Sequence, residues 1–586
     1  MKLSTYTRLW LMTITMALFA CNKNVLDVKN LNAVEPSLTW RDPALANAYL
    51  ANLYARVMPA GWPTASGALY GGLAVDDSRG VINDNTIQIT GHPWAGSFED
   101  SYTDIRQINI LLKEIEGGTL AAATKNKIVA QALFLRAFSY FLLVRVYGGV
   151  PLLLEAQNIT DSLRVPRAAT IDIFKAIETD LDKSIQLLEG EAFADNDKGR
   201  IGQAAALAFK GRVLLYKASP LFNPAHPYDN AHWQAAYAAN LDAKTKLDAM
   251  GFGLNADYSG IWSINNEGNK EALLTVKYTA PTKTNGRRES GIRPGSQTAN
   301  DAGADNPVWS LLQAYPMKDG FAAGSSPTYA YNEQTFWLNR DPRFDATIVY
   351  NGSRYETGGI AGRRQYTDDK LATNDDAYTT DPQSRSGTGL YTRKAAQPEL
   401  KRAEVAQNSV DWIEIRYAEV LLNLAEAANE TGHTPDAVNL IKQIRQRAGI
   451  EAGAGNYGVT AATRDDVRKL IYNERFVEFI FEGQRFWDLK RARTLTSLTG
   501  LVEMGVQSTL KPQHLPVDQA KKDSYGYLPE DFNYTVAPIL KAAASAVTFS
   551  VPAKFYFAPI PLTQIQKNPN LAQSTDWGGT FNPALE

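Results

Sequence analysis

Cysteine occurs once in the 586 residues, at Cys21, which excludes an internal disulfide and any cysteine-rich zinc site. Histidine is almost as sparse. His92, His226, His232, His433 and His514 are scattered, without the HExxH spacing that sets two imidazoles on one helix face. No GxSxG elbow is present to raise a nucleophilic serine. An excess of one charge is missing too: 60 Lys and Arg against 62 Asp and Glu leave a net charge of −2, and no basic field favours nucleic acid. The GxGxxG run at 453–458 follows a helix end and lies in no β-α-β unit, so it reads as a loop. Asp368-Asp369 and Asp375-Asp376 lack the ligand spacing of a calcium loop and read as solvated loop acids. Neither a metal nor a cofactor is expected. Beyond the N-terminal stretch, no segment reads as apolar enough to cross a membrane.

That stretch has its own pattern. Lys2 and Arg8 lead into apolar residues 9–20, too short to span a bilayer, and Leu18-Phe19-Ala20-Cys21 closes it with a small residue before the cysteine. The pattern resembles a bacterial lipoprotein signal, although Phe19 is bulkier than usual at its position. It implies removal of 1–20 and acylation of Cys21, and several chains at about 0.8 kcal/mol per buried CH₂ would anchor durably. The alternative is an ordinary secretory signal with a chance cysteine. Residues 21–40 then form the acylated tether, polar and without helical period. A single body is expected over 41–586, with a helical scaffold and a binding loop in 41–270 and a loop-rich region before a dense final run in 271–586.

Periodic apolar residues fill the scaffold. Leu45, Tyr49, Leu53 and Val57 share a helix face, as do Phe98, Tyr102, Ile105 and Asn109. Ala132, Leu135, Ser139, Leu143 and Val146 mark another helix, and Ile171, Phe174, Ile177, Leu181, Ile185 and Leu188 the next, with more over 204–218 and 235–250. Residues 271–278 read as a strand pairing locally, and 279–403 as loop lying over the helical body. Further on, Ile413, Tyr417, Leu421, Leu424 and Ala428 form a stripe stopped by Gly432. Thr434-Pro435 supplies a capping hydroxyl and a first-turn proline, and Val438, Ile441, Ile444 and Ala448 form the next stripe. Helices joined so briefly lie antiparallel, and Ala437 and Ile441 stand where tetratricopeptide-like repeats place small and large packing residues. The expected fold is mainly α, a tetratricopeptide-like helical-hairpin scaffold with long irregular loops and minor β. A third helix starts at Asp465-Asp466 and carries Glu474, Glu478 and Glu482, flanked by Arg475 and Arg485. Carboxylates so close to arginines read as structural ion pairs rather than acid–base catalysts.

The runs IRYAEVLLNLAEAANETG (415–432), IKQIRQRAGI (441–450) and NERFVEFIFEGQRFWDLKRAR (473–493) resemble the signature of the SusD/RagB family, surface nutrient-binding outer-membrane lipoproteins of Bacteroidetes-type bacteria. RAFSYFLLVRVYGGVPLL (136–153), Asp341-Pro342-Arg343 and FYFAPIPLTQIQKNPNLAQSTDW (555–577) match in the family's order. The resemblance implies binding loops on a tetratricopeptide-like body and a SusC-like TonB-dependent transporter as partner. It also implies an oligosaccharide ligand, with peptide capture of the RagB kind as the alternative, and no enzymatic activity.

A sugar needs flat aromatic platforms with amide, carboxylate or guanidinium groups at their edges. With 11 Trp, 27 Tyr and 22 Phe, the chain has rings to place on loops as well as in its core. The loop 62–94 holds both kinds of residue, and the candidates are Trp62, Tyr70, Asp76, Arg79, Asn83 and Trp94, in the region that often carries sugar contacts in SusD-like proteins. Trp309, Tyr315, Tyr329, Tyr331 and Trp337 are expected as a facing wall. A glycoside hydrolase would instead need a carboxylate pair flanking one cleft.

Overall fold

Helix α1 (Pro43–Val57) starts where Asp42 accepts from the amides of Ala44 and Leu45, with proline in the first turn. Its buried stripe, Ala46, Leu50, Leu53 and Val57, faces the core. Helices α2 (Gly96–Glu114), α3 (Ala122–Tyr147), α4 (Thr170–Leu187), α5 (Gln203–Ala218) and α6 (His232–Ala249) follow. The computed structural model describes residues 36–59, 96–193, 197–263, 268–298, 306–373, 376–377, 386–502, 504–539 and 551–585. Helix α3 runs through the middle of this half. It is long and apolar enough to cross a membrane, contrary to the sequence expectation, yet every residue from Ala130 to Tyr147 is buried in the protein. Phe134, Phe138 and Phe141 gather round Phe209 of α5 with ring centroids 5.1–5.3 Å apart. After α3, Gly148 adopts φ 71° against the backbone of Pro583, where a Cβ would stand 2.6 Å from the carbonyl oxygen.

The end of the described chain closes this helical half. Thr170 Oγ1 donates to the carbonyl of Pro583 (2.8 Å), 413 residues away, Arg167 Nη1 to that of Ala572 (2.9 Å), and the Leu585 amide to Phe222 (2.8 Å).

Strand β1 (Ala272–Val276) does not pair locally. It runs antiparallel to a strand more than a hundred residues later, Trp412–Arg416, with Val276 opposite Trp412 and Ala272 opposite Arg416. Between them lie α7 (Trp309–Ala314), α8 (Pro342–Thr347), β2 (Ile348–Val349) and β3 (Tyr391–Thr392), which makes Trp412–Arg416 β4. Ile413 is therefore a strand residue, and the helical stripe begins at Tyr417 in α9 (Tyr417–Glu430). Helix α10 (Thr434–Ala448) packs antiparallel on α9 and ends at Gly449 in the left-handed region. Thr434 does not cap it. Its hydroxyl turns back to Asn429 Oδ1 (3.1 Å). Helix α11 (Arg464–Glu478) is capped by Thr463, whose Oγ1 accepts from the Asp466 amide (3.2 Å), and α12 (Arg485–Arg491) follows.

The stretch 279–403 is not loop laid over a helical body. With the antiparallel hairpin β5 (Met504–Leu510) and β6 (Phe532–Pro538) it encloses a second apolar core. Phe336 is fully buried there, ringed by Trp309, Trp337, Phe344, Tyr350 and Tyr534 at centroid distances of 5.2–6.4 Å. The three sheets among the described residues have two strands each, so the fold is mainly α, with hairpin pairs as its scaffold. Truncating Phe336 to alanine opens a cavity at the centre of the second core. Phe336→Ala is expected to cost about 3–5 kcal/mol, read as a lowered urea midpoint.

Candidate functional site

Of the predicted ligand contacts, Trp62, Tyr70, Asp76, Arg79, Asn83 and Trp94 lie outside the described residues, as does Cys21. The expected facing wall is corrected. Trp309 is 5% exposed, Tyr315 0% and Trp337 6%. Trp337 stacks on Tyr350 at 5.4 Å, and Tyr315 meets the edge of Phe344 at the same distance, so these rings are core. A segment without helical period reads as surface, but here its rings fill the second core. Asp368 and Asp376 are likewise buried rather than solvated: Asp368 accepts from the Leu510 and Lys370 amides, and Asp376 from the Ser296 amide and hydroxyl.

Tyr329 and Tyr331 are half-buried at the surface. The Tyr329 hydroxyl donates to Glu451 (2.8 Å), whose carboxylate also meets Lys318 Nζ at 3.1 Å. That hydrogen bond raises the phenol's pKa and, with the Lys318 contact, lowers that of the carboxyl. Two loops are fastened beneath. The Glu451 amide donates to the Lys318 carbonyl (2.9 Å), and Arg445 Nη1 donates to the carbonyls of Gly320 (3.0 Å) and Tyr457 (2.8 Å). Gly320 has φ 86°, and a Cβ there would sit 2.2 Å from the Tyr457 carbonyl oxygen, so only glycine lets the loops touch. Tyr329 thus stands at the surface with Lys318 and Glu451, beside the loop that carries Asn456 and Tyr457. Nothing in the sequence pointed to the last four, since residues 122 apart share no local pattern.

Glu474, Glu478 and Glu482 do form ion pairs, but not with their sequence neighbours. Arg475 bonds Asp488 and Asn423, and Arg485 lies 3.9 Å over the Phe476 ring. Helix α11 ends at Glu478, so Glu482 stands beyond it, past Phe481 at φ 58°. The partners come from elsewhere. Arg343 of α8 reaches Glu474 (2.7 Å) and Glu478 (2.8 Å), oriented by Asp341 (2.7 Å). Arg416 of β4 binds Glu271 (2.6 Å), Glu478 (2.7 Å) and Glu482 (2.8 Å), and Arg447 of α10 binds Glu271 (2.9 Å) and Glu478. Arg445 holds Glu474 (2.8 Å), and Lys394 holds Glu482. Burial pushes the Glu478 carboxyl up, but Arg447, Arg416 and Arg343 outweigh it and hold the group well below the usual carboxylate range. Glu474 is lowered likewise, burial opposing Arg343 and Arg445. The arginines favour the ionised form of Glu474 and Glu478, which suits a joint and not proton transfer. Among the described residues no group of three or more His, Cys, Asp or Glu is arranged to hold a metal.

Residues 261–577, more than half of the chain, match the sequence profile described as the SusD family. The chain belongs to the SusD family. Residues 26–215 match a second profile of the family, described as starch-binding and associating with the outer membrane. SusD-like protein P2 of Formosa agariphila is 23% identical over 373 residues, 63% of this chain and 65% of that relative, so the alignment spans somewhat under two thirds of its length. A SusD-like protein from Bacteroides fragilis is 25% identical with a TM-score of 0.70, over 92% of this chain and 98% of that one. A second protein from that organism, described as a SusD-like carbohydrate binding protein, is 23% identical with a TM-score of 0.70, over 91% and 99%. In this SusD-family chain the three signature runs and Asp341-Pro342-Arg343 supply most of the buried charge junction.

Removing one member of that junction strands the others. Arg416→Met leaves Glu271, Glu478 and Glu482 short of a partner and is expected to cost about 3–5 kcal/mol in chemical denaturation. The folded pKa values of Glu474, Glu478, Glu419 and Asp488 lie below their ordinary values of 4.5 for glutamate and 3.8 for aspartate. Their contribution is therefore full above that range and lost as pH falls through the lowered folded values. Thermal midpoints should hold from neutrality to about pH 5 and drop below pH 4.

Proposed function

We propose that the protein captures oligosaccharide at the cell surface, anchored in the outer membrane through acylated Cys21, and delivers it without cleavage to a SusC-like TonB-dependent transporter. The observation that carries this reading is the match of residues 26–215 to the starch-binding, outer-membrane-associating profile, a span that includes the aromatic and polar stretch 62–94. The fold shared with a carbohydrate-binding SusD-like protein supports it. Trp62, Tyr70 and Trp94 offer ring faces, and Asp76, Arg79 and Asn83 offer edge groups, the combination a pyranose requires. Capture without cleavage is supported by Glu474, Glu478 and Glu482, each locked to cations. A few net hydrogen bonds of roughly 0.5–1.5 kcal/mol each, with aromatic contact, give about −4 to −8 kcal/mol, a millimolar-to-micromolar grip weak enough to release ligand. The body acts as a lid over the transporter mouth, hinged so that bound ligand can face inward.

Glycan arrays and peptide pools, followed by titration calorimetry, test this. An oligosaccharide is expected to bind without product release, and Trp94→Ala and Arg79→Ala to weaken it about tenfold or more. A response to peptides alone, or affinities unmoved by both substitutions, refutes it.

A further inference from the structure

The chain after β2 turns back on itself, so that 352–355 runs antiparallel to 363–365. The Gln365 amide donates to the Ser353 carbonyl and the Tyr355 amide to that of Arg363, each at 2.9 Å. Between those two bonds Arg354 stands directly opposite Arg364. They form a non-hydrogen-bonded pair, the kind whose Cα atoms approach to about 4.5 Å and whose side chains leave the ribbon side by side. Alternation sets their face. Ser353, Tyr355, Arg363 and Gln365 are buried, whereas Arg354 is exposed and Arg364 half-buried.

Like charges placed directly opposite repel and loosen a ribbon. A carboxylate between them would relieve the strain, yet among the described residues neither guanidinium comes within 4 Å of one. Glu356, the acid on the same face, accepts from the Gly362 amide (2.8 Å) instead. Glu530, next to the Pro529 that packs on Gly352, pairs with neither arginine. Arg364 spends Nη1 on the Gly352 carbonyl (2.7 Å), which fixes its fork, while Arg354 donates to nothing among the described residues.

Two guanidinium forks side by side suit a group with oxygens on several sides. A planar carboxylate offers one edge and is matched by one fork, whereas a sulfate or phosphate keeps at least three terminal oxygens and can bridge both. We propose that the Arg354–Arg364 pair is a clamp for a single tetrahedral oxyanion, sulfate or phosphate, free or as the ester of a sugar. The bound anion replaces repulsion across the ribbon with charge-assisted hydrogen bonds to both strands.

Inorganic phosphate and a hexose phosphate, titrated into the full-length protein at constant ionic strength and followed by phosphorus NMR, test the clamp, with sulfate, glucuronate and glucose as competitors. Saturable phosphate binding is expected, displaced by sulfate at least about tenfold more readily than by glucuronate, with neutral glucose inert. Arg354→Gln and Arg364→Gln should each weaken binding about tenfold, and Arg354→Lys, which keeps the charge but loses the fork, should weaken it nearly as much. Arg354→Gln should melt at the wild-type temperature or above it, because it removes one of two opposed charges and no hydrogen bond. A tighter grip on the hexose phosphate than on the free ion names a substituted sugar as the ligand, and equal grips name the ion itself; either supports the clamp. Absence of saturable binding, equal displacement by glucuronate, full affinity in Arg354→Lys or in either glutamine variant, or a lowered melting temperature of Arg354→Gln overturns it.

Discussion

Three guanidinium groups converge on the Glu478 carboxylate, and each is carried by a different part of the chain: Arg343 by α8, Arg416 by β4 and Arg447 by α10. Taking such ions out of water costs several kcal/mol apiece, and the cost is offset only when every partner arrives in place. The junction therefore acts as a geometric check. If β4 slid by one residue or α8 docked a turn away, a buried charge would be left alone. The apolar clusters on either side tolerate small repacking, but the ion pairs do not. The segment that bears Glu478 also divides between the two cores: Phe476, Val477, Ile480 and Phe481 enter the second, while Phe479, Phe486 and Trp487 enter the first. One stretch of chain thus bolts the helical half to the loop-rich half.

Much of this was legible, and the limits have physical causes. Helical stripes in 41–270 follow from a repeat that the chain spells locally, and α1 to α4 lie where Leu53, Ile105, Leu135 and Ile177 placed them. The antiparallel pair α9 and α10 was also readable. What escaped depends on contacts at long separation. Strand β1 finds β4 across the loop-rich region, and Arg343 finds Glu478 across 135 residues, with no trace in the intervening sequence. Trp309, Tyr315 and Trp337 escaped for a related reason, since their stretch shows no period and a short apolar run looks alike in a core or on a loop.

The signature by which the family is recognised in this chain is spent on holding the body together. Glu474, Glu478, Glu482 and Arg416 are all consumed in the junction, and Asp341-Pro342-Arg343 feeds it from the far side. Family membership therefore describes how the scaffold is clamped.

The stitching of 572–585 into α4 and its neighbours carries a temporal consequence. Thr170 waits for Pro583, and Phe222 for Leu585. At ribosomal speeds of about 5–20 residues per second, the roughly 400 residues between them take on the order of 20–80 s to emerge. Throughout that interval the early helices exist with an open seam. The last residues made are thus among those that close the first helices.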